Sequence, residues 1–302
     1  MMKKSLKNRR ETLTSYLVSA PSLVLISLIV VFPIAYTGYI SLTNMNTYHW
    51  FEFDVIGFDN YVRALAVFDS LFLSALFGTV LWTVVNMALQ LAIAFVIANF
   101  LNAGRLPLRN VYKTILMFPW AMPGYVSILL WKTGMFNSEF GLLTKLMRDL
   151  TGITVRWLST DAGAFLTCTL VNLWLALPFM IMIMDGGLKS IDKSYYESAY
   201  LDGAGAIRQA VSITIPCLKP VIAPSVLITV FTTFKQFDVV YLMTLRVGAQ
   251  TGSHFHTIIT YAYENAFITN NYGYSSAISI IIFALLVAFS FATSAKRKGG
   301  RA

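Results

Sequence analysis

Apolar residues in this chain gather into long runs instead of spacing out as one face of a surface element. Six such runs lie at 16–42, 71–101, 111–135, 162–184, 221–245 and 274–294. Each is long enough to cross a hydrocarbon core of roughly 30 Å, which takes about 20 helical residues. A lone run in lipid must satisfy its backbone internally, so each predicts a helix. The pattern predicts an all-α polytopic membrane protein with six spans. A short basic tail, 1–15, precedes one membrane domain, 16–294, and a second basic tail, 295–302, follows it. The connecting segments are too short for a soluble core of their own.

Composition agrees with this reading. The chain of 302 residues is 57% hydrophobic and 12% charged, whereas soluble domains carry about a quarter charged residues. The net charge is +9, which raises the question of nucleic acid. Its distribution answers it. Counting residues at the span ends, sixteen Lys and Arg lie before span one, between spans two and three, between four and five, and after six. Six lie in the opposite set of segments. That is a positive-inside bias, so both termini are expected in the cytoplasm and no nucleic-acid partner is expected. The first apolar run is longer than a cleaved signal core and reads as a retained anchor. Cys168 and Cys217 fall in or beside spans and read as packing residues.

One segment on the basic side stands out, 185–219, with the sequence "YYESAYLDGAGAIRQAVSITIPCLKP" from Tyr195 to Pro220. Ser194 and Glu197 have capping-box spacing for a helix starting near Tyr195. Gly203 and Gly205 are expected to end or bend it. A second short helix fits 206–213, ended by Pro216, with Pro220 and Pro224 shaping the start of span five. The segment is expected to be a helix–turn–helix knob.

These residues carry a resemblance. Glu197-Ser198-Ala199, three residues, Gly203, nine residues and Ile213-Thr214-Ile215-Pro216 resemble the EAA loop of ABC importer permeases, with Ser198 and Ile215 as mild departures. "FPIAYTGYISLTN", "IGFDNYVRAL", "FPWAMPGYVSILLWKTGMFN", "VNLWLALPFMIMI" and "FKQFDVVYLMT" extend the likeness over nearly the whole chain. They are similar to the first of the two paired permeases of maltose/maltodextrin-type carbohydrate importers, in its shorter six-span form. "LRVGAQTGS" stands where that family has Gly-Gly-Gly-Pro. The resemblance implies the type I ABC importer permease fold in a bacterial inner membrane. It also implies a loop that docks on an ATPase subunit through Glu197, Ser198, Ala199, Asp202, Gly203, Ala204, Ile213 and Pro216. The implied partners are a second homologous permease, two ATPase subunits and an extracytoplasmic sugar-binding protein, with ATP and Mg held by the ATPase subunits. This chain has no Gly-x-x-x-x-Gly-Lys-Ser/Thr phosphate cradle, so no ATP or other cofactor is expected on it. The plainer alternative for the loop is an amphipathic helix lying on the lipid interface.

Polar residues inside spans tend to face a bundle interior or a water-filled cavity. Thr229, Thr232, Thr233 and Gln236 follow helical spacing in span five, and Asn172, Ala176 and Phe179 form a second stripe in span four, with Leu175 beside it. The resemblance implies that Leu175, Ala176, Phe179, Thr229, Thr232, Thr233 and Gln236 line the sugar site. Hydroxyls and an amide suit sugar hydroxyls, and an aromatic face suits a pyranose. The competing account is threonines bonding back to their own helix. Asn86 and Gln90 read as interhelical glue. Lys235 and Asp238 read as a mutual ion pair, or else as a gate or a contact for an anionic sugar. His254 and His256 lack further ligands for a metal. An ion-coupled carrier of a polar solute would need intramembrane carboxylates, and a membrane enzyme a convergent catalytic set. The spans hold almost no carboxylates, Asp238 being the only strong candidate, and no catalytic set converges, which leaves the ATP-driven permease as the leading reading and the carrier, or an importer of glycerol phosphate or an anionic glycan, as its alternatives.

Overall fold

The computed structural model describes Tyr16 and residues 18–65, 70–102, 106–244 and 255–299. The described residues are mostly helical, and their one β interaction is an isolated bridge between Thr43 and Val55. Val18–Ile40 (α1), Ser70–Asn102 (α3), Asp161–Lys189 (α7), the helix beginning at Ala206 (α9) and Tyr272–Gly299 (α12) contain stretches long and apolar enough to span a bilayer. The third predicted span differs. It is two helices, Arg109–Ala121 (α4) and Gly124–Met135 (α5), meeting at 93°. Met122 between them is extended, with φ −79° and ψ 145°. A residue before proline is driven out of the helical region, so Met122-Pro123 breaks a run that hydropathy alone makes continuous. Counted as one, the bent pair is a sixth span.

The fifth span also departs from expectation at both ends. α9 starts as Ala206–Gln209, passes through a π-helical segment Ala210–Thr214 and continues as Ile215–Phe234. Pro216 does not end a short helix: it occupies the first turn of Ile215–Phe234, where a missing N–H is best tolerated. The chain then leaves the helix at Lys235–Phe237 and resumes as Asp238–Thr244 (α10). Predicted span 221–245 is therefore interrupted near its end.

The molecule divides into two compact units. One comprises 1–72 and 261–302 and contains α1, Asp59–Leu65 (α2) and α12. Within it the Asn60 side-chain amide donates to the carbonyls of Ser41 and Thr43, at 3.0 and 2.9 Å, while the Arg63 guanidinium lies 4.0 Å over the Tyr274 ring. Gly273 lets the chain approach here. A Cβ at that position would come within 2.2 Å of the Thr43 carbonyl oxygen.

The second unit, 73–260, holds the other spans. Its larger core joins Trp82 of α3, Ile128 of α5, Ala164, Cys168 and Val171 of α7, and Val239, Val240 and Met243 of α10. Cys168 is buried among these apolar groups as a free thiol. A separate seam packs Met87, Ala94 and Ala98 of α3 against Met180, Ile181 and Met184 of α7, with Val226 and Val230 of α9 alongside.

Candidate functional site: the 190–219 loop and the α7–α9 stripe

The loop starts later than its sequence suggests. α7 runs on through Asp185 to Lys189, and only Ser190–Asp192 separate it from Lys193–Leu201 (α8). Asp192, not Ser194, caps α8: its carboxylate accepts the Ser194 backbone N–H at 2.9 Å. That bond holds the Asp192 carboxyl below its ordinary range. The other end of α8 is a Schellman turn. Gly203 takes φ +75°, the Gly203 N–H donates to Tyr200 O at 3.0 Å, and the Ala204 N–H donates to Ala199 O at 2.8 Å. Gly203 is required by its backbone, since an L side chain there is strained. Gly205 has an ordinary φ of −70° and caps α9 instead.

Two further bonds make the knob rigid. The hydroxyls of Tyr196 and Thr214 lie 3.0 Å apart, linking α8 to the π segment. The Gln209 amide donates to Ala204 O at 2.8 Å. Glu197, Ser198, Asp202 and Gly203 are exposed, Ala199, Ala204 and Ile213 half-buried, and Pro216 exposed. Exposed with them are large apolar side chains, Leu201 at 86% and Ile207 at 83%. A shallow depression beside Ile207 is lined by Gly205, Ala206, Ile207, Arg208, Val211 and Ser212.

Spans four and five pack together through α7 and α9. Leu175 and Ala176 are half-buried on α7 and Phe179 is exposed. On α9, Thr229 and Thr233 are buried, whereas Thr232 is exposed and bonds back to Thr229 O at 3.0 Å. The buried Thr229 hydroxyl has no hydrogen-bond partner. Gln236 does not continue the stripe on the helix. It lies past the helix end, and its N–H donates to Thr233 O at 3.2 Å. The same carbonyl accepts the Trp82 indole N–H at 3.2 Å. Asn172 faces a neighbour, donating to Asn86 Oδ1 at 2.7 Å. Asn86 thus ties helices together as expected, while the buried Gln90 side-chain amide has no partner. Lys235 and Asp238 form no ion pair with each other; Lys235 lies in the break, Asp238 opens α10, and both are exposed. His254 lies outside the described residues.

Sequence reasoning missed one buried polar cluster. Asp185, 3% exposed at its side chain, accepts from Lys113 at 2.5 Å, Lys189 at 2.6 Å and Arg109 at 3.2 Å. The Asn102 amide also donates to it at 2.9 Å. Reading Asp185 as the start of a loop hid it. The signal available was two cations at i and i+4, Arg109 and Lys113, beginning an apolar run.

Residues 90–297 match the family described as binding-protein-dependent transport system inner membrane component. The chain is 32% identical over 281 residues to the trehalose/maltose transport system permease protein MalF of Thermococcus litoralis, covering 93% of this chain and 92% of that protein. It is 32% identical to the sulfoquinovosyl glycerol transport system permease protein SmoG of Agrobacterium fabrum, covering 91% and 87%. It is 30% identical to the galactooligosaccharides transport system permease protein GanP of Bacillus subtilis, covering 91% and 68%. In fold it resembles a chain of a bacterial ABC transporter involved in the import of the acidic polysaccharide alginate, with a TM-score of 0.80 over 98% of this chain and 99% of that one, at 18% identity. These matches set aside the carrier and enzyme readings: the chain belongs to the inner membrane component family of binding-protein-dependent transport systems and is a permease subunit with the type I ABC importer fold.

Proposed function

We propose that this permease carries an oligosaccharide or glycoside through the bacterial inner membrane in an ATP-driven importer. Its partners are a second homologous permease, two ATPase subunits that hold ATP and Mg, and an extracytoplasmic sugar-binding protein. Both termini and the α8 loop face the cytoplasm. Glu197, Ser198, Ala199, Asp202, Gly203, Ala204, Ile213 and Pro216 belong to a coupling loop that docks on one ATPase subunit. ATP-driven closure of the ATPase pair moves that loop, and the spans alternate between inward and outward openings. Leu175, Ala176, Phe179, Thr229, Thr232, Thr233 and Gln236 line the solute path. The names of the relatives support a sugar, and a lining of hydroxyls, an amide and an aromatic ring without a fixed charge favours a neutral one.

The observation that carries the docking role is the exposure of Leu201 and Ile207 on a rigid polar knob. Apolar patches on a water-facing surface mark interaction sites, and Tyr200 and Val211 are exposed on the same loop with these two. Substituting them disturbs no internal packing, so Leu201→Asp and Ile207→Asp are expected to reach the membrane at wild-type levels and lose co-purification with the ATPase subunits. Retention of the ATPase by both variants would refute the docking role. Uptake of labelled maltose, trehalose and a galactooligosaccharide, compared with an acidic glycan, decides the solute class.

A further inference from the structure

The Asp185 cluster is not part of the coupling loop or the solute stripe, and its geometry is specific. It joins the ends of three helices: Asn102 closes α3, Arg109 and Lys113 open α4, and Asp185 and Lys189 close α7. Asn102 Oδ1 also accepts from the Arg109 guanidinium. Arg109, a cation in the first turn, opposes the helix dipole, and α4 has no acid there to offset it. A buried carboxylate, for its part, requires pairing. Each arrangement is unfavourable alone and is satisfied by the other, so the start of α4 and the end of α7 are held as one body.

What this body connects is informative. Asp185 lies eight residues before α8, with Lys189 and the three-residue link Ser190–Asp192 between them. At its far end α4 meets the 93° bend into α5. α5 in turn packs on α10, and Lys132 at its end donates to Leu242 O of α10 at 2.7 Å. α10 begins just beyond Gln236. The broken span is thus anchored at both ends by a lysine, one toward the loop and one toward the break beside the solute stripe.

We propose that the Asp185–Lys113–Arg109 clasp is a positioning device that transmits movement of the coupling loop through α4 to the bend at Met122. This rests on the coupling-loop reading above. Lys189 has a different place: its ion pair is with Asp185 of its own helix, four residues before it, whereas the ion pairs of Lys113 and Arg109 cross from α4 to α7. Lys113→Met and Lys189→Met remove the same charge, and each leaves Asp185 two other cations, so both are expected to fold. Only the first weakens the joint between helices.

The test uses the assembled transporter in a Cys217→Ala background, with single reporter cysteines at Tyr125 on α5 or at Lys193 on α8. The probe is Mg-ATP with vanadate, and the readout is the change in alkylation rate it causes. In the parent protein both reporters are expected to respond, by about threefold or more. Lys113→Met is expected to bring the Tyr125 response close to none while the Lys193 response persists. Lys189→Met is expected to leave both. A wild-type response at Tyr125 in Lys113→Met overturns the clasp, as does a parent that responds at Lys193 but not at Tyr125. Failure of both reporters in the parent overturns the coupling-loop reading, and the clasp with it. Equal loss in both variants also overturns it, since charge and not the joint would then be the cause.

Discussion

The indole N–H of Trp82, fully buried on α3, donates to the carbonyl of Thr233 at the last turn of α9. Thr233 O is one of the carbonyls a helix end leaves without a partner within the helix. Here it receives both the indole and the Gln236 N–H, which fixes where span five stops and where Gln236 is presented.

Trp82→Phe tests that relationship. It keeps an aromatic ring in the core beside Phe165 and Phe255 but removes the donor. Because Gln236 still bonds the carbonyl, the cost is expected in the lower part of the usual range, about 0.5–1.5 kcal/mol. The measurement is thermal unfolding of the purified subunit alongside uptake. A loosened helix end is expected to reduce uptake more than stability. An uptake rate equal to wild type would show that Gln236 does not depend on this anchor.

Much of this architecture was legible beforehand. Long apolar runs located the five helices long enough to span and the bent pair that stands where the third run was read, and the Gly203 turn followed from glycine's freedom at positive φ. Two interruptions were hidden for different reasons. Met122-Pro123 sits inside a run whose hydropathy never dips, and the break at Lys235–Phe237 has no proline or glycine to announce it. Pro216 misled in the opposite direction, since a proline in a first helical turn looks in sequence like one that ends a helix. Asp185 escaped notice because its partners on α4 are 72 and 76 residues away, a distance no local pattern can report. The helical register of the stripe proposed to line the solute path was half legible. Thr229 and Thr233 share a buried face, but Gln236 reaches its place only through a break in the helix.

Thr229 offers the sharpest test of that stripe. Its hydroxyl is buried with no partner, so it contributes nothing to the packed state. Thr229→Val is expected to unfold at the same temperature or higher, by virtue of removing an unsatisfied polar atom worth about 1–3 kcal/mol in desolvation. If the hydroxyl bonds solute when the spans part, apparent affinity at the membrane site falls about two- to tenfold, the equivalent of roughly 0.5–1.5 kcal/mol. Stability and uptake would then move in opposite directions, which a packing role cannot produce. Wild-type uptake across solute concentrations would remove Thr229 from the path.

Orientation is the remaining expectation, and it rests on charge. Lys and Arg concentrate in the segments that include the α8 loop, and such residues are retained on the cytoplasmic side. Arg208 is exposed beside that loop, whereas Leu150, 71% exposed, ends the helix Leu142–Thr151 (α6) in a segment of the opposite set. Cysteines at these two positions, in a background with Cys217 replaced and the buried Cys168 kept, should report opposite faces. In intact cells, with any outer envelope made permeable, a membrane-impermeant maleimide is expected to label Leu150→Cys and spare Arg208→Cys. In inverted vesicles the pattern should reverse. Labelling of Arg208→Cys from outside would place the knob on the wrong side for any ATPase, and no other feature of the loop would then rescue its coupling role.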